Sequence, residues 1–158
     1  MIVHQTQLRV RYADTDQMQI VYNGKYLEYF EVGRTELLRA FGLPYSTFEQ
    51  HGYRLPLIEA YCRFVSPARY DDLLNIESSV QDFRSPKLRI DYRIFRVTTK
   101  TLIASGHTVH AFVRIDTGKP VRPPLLFVNI LTRTGISNNF SNSDDIVVTG
   151  IAKSAPEL

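Results

Sequence analysis

Cysteine occurs once, at Cys62, so no internal disulfide and no cysteine-based zinc cluster can form. That thiol falls in an apolar, strand-like run, which favours a packed and unreactive side chain. Long apolar runs are missing too. No stretch approaches the roughly twenty residues that a membrane-spanning helix needs, and the N-terminal MIVHQTQLRVRYADTD lacks the apolar core of a secretory leader. The expectation is a cytoplasmic protein with no membrane partner. Charge of one sign is scarce, with 19 Lys and Arg against 16 Asp and Glu and a net charge of +3. This falls short of a nucleic-acid signature, although Arg63, Arg69, Arg84, Lys87, Arg89, Arg93 and Arg96 gather mid-chain and could meet a few phosphates. There is no Gly-x-Ser-x-Gly elbow, no glycine-rich phosphate loop and no dinucleotide fingerprint, which leaves serine-hydrolase and nucleotide-cofactor readings unsupported.

What is present is an ordinary globular composition, 44% hydrophobic and 22% charged. A chain of 158 residues suffices for one domain that buries about two-thirds of its unfolded surface. No repeat or linker divides it. Residues 5–12 alternate, with Leu8, Val10 and Tyr12 on one face and Arg9 and Arg11 on the other, the period-two pattern of a half-buried strand. A loop carrying Asp14 and Asp16 follows. Asn23 then offers an N-cap, and Gly42 with Pro44 a stop, framing a helix of about eighteen residues from Gly24 to Phe41. Its apolar stripe runs Tyr26, Tyr29, Phe30, Gly33, Leu37, Ala40 and Phe41; Leu27, Val32 and Leu38 widen it so far that the helix should be covered on most sides. Gly33 costs about 1 kcal/mol of helix propensity relative to alanine. It therefore implies close approach of another backbone, a strand or the same helix of a second subunit.

A short second helix is predicted near Tyr45–His51, and four strand-like runs come next: Leu57–Val65, Leu73–Phe83, Leu88–Val97 and Leu102–Ile115. Short turns between runs suggest an antiparallel meander. One curved antiparallel sheet wrapped around the long helix is the simplest α+β arrangement that buries it. After Pro123 and Pro124 the character changes. An apolar LLFVNIL gives way to a Ser-, Asn- and Asp-rich stretch, so 126–158 reads as a C-terminal extension whose order the sequence does not set.

Asp16 lies seven residues before Asn23, and a short return of the chain would bring it to the positive end of the helix, where unpaired amides favour negative charge. That field would also stabilise an oxyanion. The competing reading is that Asp14 and Asp16 simply make turn or capping hydrogen bonds. His107 and His110, three apart on a strand, face opposite sides and are poorly placed to share a metal ion. Glu31 and Arg34 are expected to form a structural pair near an interface.

The loop Asp14-Thr15-Asp16-Gln17-Met18-Gln19-Ile20-Val21-Tyr22, running into Tyr26, Tyr29, Phe30, Glu31, Arg34 and Thr35, resembles the 4-hydroxybenzoyl-CoA thioesterase family. Three further pieces fit: FVSPARYDD at 64–72, Arg84 with Ser85, and the strand from Gly106 to Phe112 before an Asp-Thr-Gly-Lys-Pro turn. Gln19 stands where many members have glycine, and the tail exceeds the usual family length. The resemblance implies a hotdog-fold domain over 1–125 and an acyl-CoA thioesterase with neither metal nor organic cofactor. It also implies a homodimer with interfacial active sites, often paired into a homotetramer. In that reading Asp16 is the catalytic carboxylate, as nucleophile or general base, and the Asn23 or Gly24 amide polarises the thioester carbonyl. Tyr22 and Tyr26 are candidates for the acyl pocket, and Arg84, Ser85, Lys87 and Arg89 for binding CoA. A hotdog module that binds an acyl thioester or a partner without turnover is the alternative; a dehydratase fits less well, because neither His107 nor His110 lies near the helix.

Overall fold

The computed structural model describes residues 1–140, with side chains to residue 133. In chain order the elements are β1 (Ile2–Arg9), α1 (Lys25–Ala40), α2 (Tyr45–Gln50), β2 (Tyr53–Arg54), β3 (Leu57–Phe64), β4 (Leu73–Val80), β5 (Lys87–Arg96), β6 (Leu102–Arg114), β7 (Pro120–Val121) and α3 (Leu125–Phe140). One antiparallel sheet runs β1-β4-β5-β6-β3, with β2 and β7 joined to the far end of β6. Helix α1 crosses its concave face, so the expected sheet around a helix is present.

The first strand begins earlier than its alternation suggests. The inward parity is right, since Ile2, His4, Thr6 and Val10 are buried, but the strand ends at Arg9 and Tyr12 is exposed in a single 3₁₀ turn, Tyr12–Asp14. The meander holds only for β4-β5-β6. β3 pairs with β6 rather than β4, and β1 takes the free edge of β4 in the register Ile2↔Val80 to Arg9↔Leu73. The connection from β3 to β4 therefore crosses one whole end of the sheet. It leaves β6 through the Val65 and Ser66 N–H groups, both donating to Ile103 O, and reaches β1 where Asp71 N–H donates to Val10 O and Val10 N–H to Asp72 O.

Phe30 stacks on Tyr92 at 4.4 Å, nearly parallel, at the centre of the interface between α1 and the sheet. Gly33 approaches β4: a Cβ there would lie 2.5 Å from Ser78 Oγ and 2.8 Å from Ile76 Cγ2. A strand, not a second helix, explains this glycine. The far side of α1 is less covered than its composition suggests, because Leu27 and Val32 are both more than a third exposed. At the other end Phe127 of α3 packs against Phe48 of α2 (5.8 Å) and Phe112 of β6 (5.1 Å). The core thus continues past residue 125, through Phe127 and Leu131. The remainder of the expected extension, 141–158, lies outside the described residues. Among the described residues no helix is long and apolar enough to cross a membrane.

Candidate functional site

Between β1 and α1 the chain makes a small hairpin. Thr15 and Val21 form an antiparallel bridge, Asp16 N–H donates to Ile20 O (2.9 Å), and Gln19 N–H closes the tip on Asp16 O (2.9 Å). Asp16 sits at the start of this tip, half-buried, and its Oδ1 accepts the Met18 N–H at 2.8 Å. The second carboxylate oxygen meets no donor among the described residues. Asp16 thus makes the turn contact that a purely structural reading requires, yet keeps one oxygen available. Gln19 has φ +64°, a conformation that suits glycine. Gln19 holds this conformation at a cost that glycine would not incur.

The hairpin is anchored on both sides. Val21 N–H donates to Ala68 O (2.8 Å), which fixes it to the segment crossing the sheet end, and Tyr22 N–H donates to Asp14 O (2.9 Å). Helix α1 then starts one residue later than expected, with Gly24 rather than Asn23 at the cap and no side-chain cap. Lys25 N–H is taken by Tyr22 O and Tyr26 N–H by Asn23 O. The Asn23 and Gly24 N–H groups, by contrast, find no acceptor among the described residues, and both residues are exposed. Two free amides at a helix start make a natural seat for a negative oxygen. The Tyr22 ring lies beside them, its Cε1 only 2.9 Å from where a Gly24 Cβ would stand, and is itself 55% exposed.

Asp14 is the buried member of the acid pair. Its Oδ2 accepts the Arg11 N–H (3.0 Å) and the Tyr29 hydroxyl (2.9 Å), and its Oδ1 accepts from Arg11 Nη2 (3.3 Å) with Lys25 Nζ at 3.9 Å. Burial, then the hydrogen bond to Asp14, pushes the Tyr29 phenol upward in pKa, so it stays a donor. Composition gave no sign of Tyr29 as a site element, since its helical spacing reads as core. The exposed pair Tyr12 and Tyr70, edge to face at 5.7 Å, was equally hidden, because the alternation of residues 5–12 places Tyr12 on a buried strand face and Tyr70 belongs to no periodic element.

The remaining candidates separate. Tyr26 is core, enclosed by Tyr29 (5.8 Å) and Phe64 (5.3 Å), and burial pushes its phenol up to about 12. Ser85, Lys87 and Arg89 line a surface hollow together with Gln81, Asp82 and Asp91, and Arg84 stands in the same turn, its N–H donated to Asp82 Oδ1. This group follows Val80, whereas the Asp16 hairpin lies beyond Arg9 and Leu73. The eight residues of β4 separate the two, about 23 Å of strand. Glu31 and Arg34 do not pair: Glu31 is exposed, and Arg34 turns inward to the Tyr92 hydroxyl. His110 is buried on Leu55 O (3.2 Å) and Thr108 Oγ1 (3.0 Å), while His107 faces outward to Glu59 (2.9 Å), the opposite facing that their spacing predicts. Burial raises the Cys62 thiol to about 11, consistent with an unreactive side chain.

A family model described as the thioesterase-like superfamily matches residues 10–131. The chain belongs to that superfamily. Its matched span takes in the Asp16 hairpin, all of α1 and every strand after β1, and ends at Leu131, where the described core also ends. Acyl-CoA thioesterase YbgC of Haemophilus influenzae is 33% identical over 119 residues, covering 74% of this chain and 85% of that protein. The structure of a DHNA-CoA thioesterase from Staphylococcus aureus superposes with a TM-score of 0.79 at 26% identity, over 88% of this chain and 95% of that one. A 4-hydroxybenzoyl-CoA thioesterase in complex with 4-hydroxybenzoyl-CoA shares the fold, with a TM-score of 0.74 at 20% identity over 82% of this chain and 99% of the other. The architecture of the superfamily member described here is the hotdog fold.

Proposed function

We propose that this chain hydrolyses the thioester bond of an acyl-CoA, consuming water and releasing the free acid and CoA. The observation that carries the reading is the pair of free amides, Asn23 and Gly24, at the start of α1, next to a hairpin that presents the unengaged oxygen of Asp16. The acyl-CoA thioesterase relative and the superfamily match support the same substrate class.

In this mechanism the thioester carbonyl oxygen lies on the amide pair, where the helix start stabilises the charge that develops as the carbon becomes tetrahedral. Asp16 either takes a proton from a water that attacks that carbon, or attacks it directly to form a mixed anhydride that water then hydrolyses to the free acid. In both routes the C–S bond breaks and CoA leaves as the thiolate. The Met18 N–H on Oδ1 orients the carboxylate so that its other oxygen faces outward. Tyr22, exposed beside the amides, forms a wall for the acyl group. Tyr26 supports that wall from within the core.

The CoA phosphates are assigned to Arg84, Ser85, Lys87 and Arg89. Their place at the far end of β4 is a reason to assign them to the site of a second copy. β3 supports such a copy: it is an edge strand, and Leu57, Ile58, Tyr61, Phe64 and Val65 along and beside it are each about half exposed. A long apolar edge left open in this way is a template for pairing. The active assembly is therefore a homodimer with interfacial sites, joined along β3. Its further pairing into a homotetramer is the family's habit, and the cytoplasm is a compartment suited to CoA chemistry.

The test is thiol release from acetyl-, hexanoyl-, palmitoyl- and benzoyl-CoA. Asp16→Asn is expected to lower kcat by roughly 10²- to 10⁴-fold, the usual scale for a lost carboxylate in acid–base or nucleophilic catalysis. Wild-type turnover by Asp16→Asn would remove the mechanism. No turnover of any thioester by the wild-type protein, with retained binding, would instead favour a non-catalytic acyl-thioester module.

A further inference from the structure

We infer that Asp14 is a positioning residue for the reaction, tethered through the Tyr29 hydroxyl, and that it sets where Asp16 stands relative to the Asn23 and Gly24 amides. This rests on the catalytic reading of Asp16 above. It goes beyond that reading by assigning work to two residues that do not touch the substrate.

Asp16 has no described contact with α1. Every hydrogen bond it makes is internal to its own hairpin, to Met18, Gln19 and Ile20. Its distance from the helix amides is therefore not fixed by any contact of its own. The hairpin's two ends are fixed instead, and both ends meet at Asp14.

Asp14 joins three pieces of chain through four residues, Arg11, Tyr22, Lys25 and Tyr29. Its N–H donates to Arg11 O and its Oδ2 accepts the Arg11 N–H, each at 3.0 Å, which holds the exit of β1. Its carbonyl accepts the Tyr22 N–H at 2.9 Å, which holds the returning arm one residue before the amide pair. Its carboxylate faces Lys25 Nζ at 3.9 Å, on the first residue of α1, and accepts the Tyr29 O–H at 2.9 Å, one turn further along. Only 3% of Asp14 is exposed. A buried carboxylate holds its partners in fixed geometry, because any loosening leaves a charge without a donor. The hairpin and the amides, through the Asp14 backbone, and the first two turns of the helix, through its carboxylate, are thus registered on one residue.

Tyr29→Phe is the informative variant. It keeps the ring packed against Tyr26 and removes only the O–H that reaches Asp14, whereas Asp14→Asn, which leaves a buried amide among donors, risks misfolding. The measurement is steady-state thiol release from whichever of the four acyl-CoAs above is turned over fastest, in the full chain, at a temperature where circular dichroism shows the variant folded. A positioning role predicts kcat lowered about tenfold or more with KM changed less than about threefold, since geometry at the reacting carbon is lost and substrate binding is not. It also predicts that Tyr29→Phe has no added effect on the residual turnover of Asp16→Asn, because both changes act on the same carboxylate. Wild-type kcat in folded Tyr29→Phe overturns the inference, as does a full independent loss in the double variant. Asp16→Asn measured alone separates the two proposals: if it is fully active, the catalytic reading has failed, whatever Tyr29→Phe does.

Discussion

A methyl group at position 33 would have to share space with Ser78 Oγ at 2.5 Å and Ile76 Cγ2 at 2.8 Å. Overpacking of that kind costs about 1–3 kcal/mol, against a gain of about 1 kcal/mol in helix propensity, so Gly33→Ala should destabilise by up to about 2 kcal/mol in urea unfolding. Ser78 also buries a hydroxyl with no hydrogen-bond partner. Ser78→Ala removes that unsatisfied group, so it should leave stability unchanged or raise it, and should recover part of the Gly33→Ala loss in the double variant. His110 gives the clearest pH dependence. Burial foremost, and the nearby Arg34 charge second, lower its pKa from 6.5 to about 4. The folded state therefore refuses a proton that the unfolded chain accepts below pH 6.5. Stability present above that value is lost as pH falls, by an amount on the order of 3 kcal/mol near pH 4. Carboxylates titrate in the lower part of the same window, so the measurement is the difference between wild type and His110→Gln: the variant's stability should fall less steeply between pH 6.5 and 4.

At the scale of elements, the sequence announced most of what a period can announce. α1 and the four later strands appear within a residue or three of their expected bounds, because each carries an alternating or helical apolar pattern long enough to read. The pairing was less visible. Nothing in the residues of β3 distinguishes a strand that pairs with the next one from a strand that crosses to β6, since that choice depends on whether β1 fills the edge of β4. The hairpin at 15–21 was opaque for a different reason. It is held by backbone hydrogen bonds to Ile20, Ala68 and Asp14, which leave no trace in side-chain pattern. Gln19 bears on the same element. Its φ of +64° strains a residue with a Cβ, while glycine relieves the strain and adds freedom to the unfolded chain, so Gln19→Gly should change stability by less than about 1 kcal/mol in thermal unfolding. Gln19→Val should lose more, because a β-branched side chain tolerates this conformation poorly. Loss in both variants alike would point to a role for the Gln19 side chain.

For the whole molecule, the division of the proposed site between two ends of one sheet has a direct experimental signature. Asp16 and the group from Arg84 to Arg89 are separated by the length of β4, about 23 Å. In the proposed dimer a two-fold axis at the β3 edge would reverse strand direction and turn the β4–β5 end of the second copy toward the Asp16 end of the first. If each site takes its carboxylate from one copy and its phosphate contacts from the other, two defective proteins can repair one another. One carries Asp16→Asn; the other carries Lys87→Glu and Arg89→Glu. Either homodimer lacks one half in both of its sites. In the mixed dimer one site combines both defects, and the other combines the intact Asp16 of one chain with the intact basic group of its partner. Random reassembly of equal amounts after mild denaturation should restore about one quarter of wild-type sites, since half the dimers are mixed and half of their sites are whole. Phosphate contacts supplied within the same chain predict no recovery at all, because every site then keeps one defect. The same preparation checks the edge itself: Ile58→Arg with Phe64→Glu should shift sedimentation to the monomer and abolish complementation.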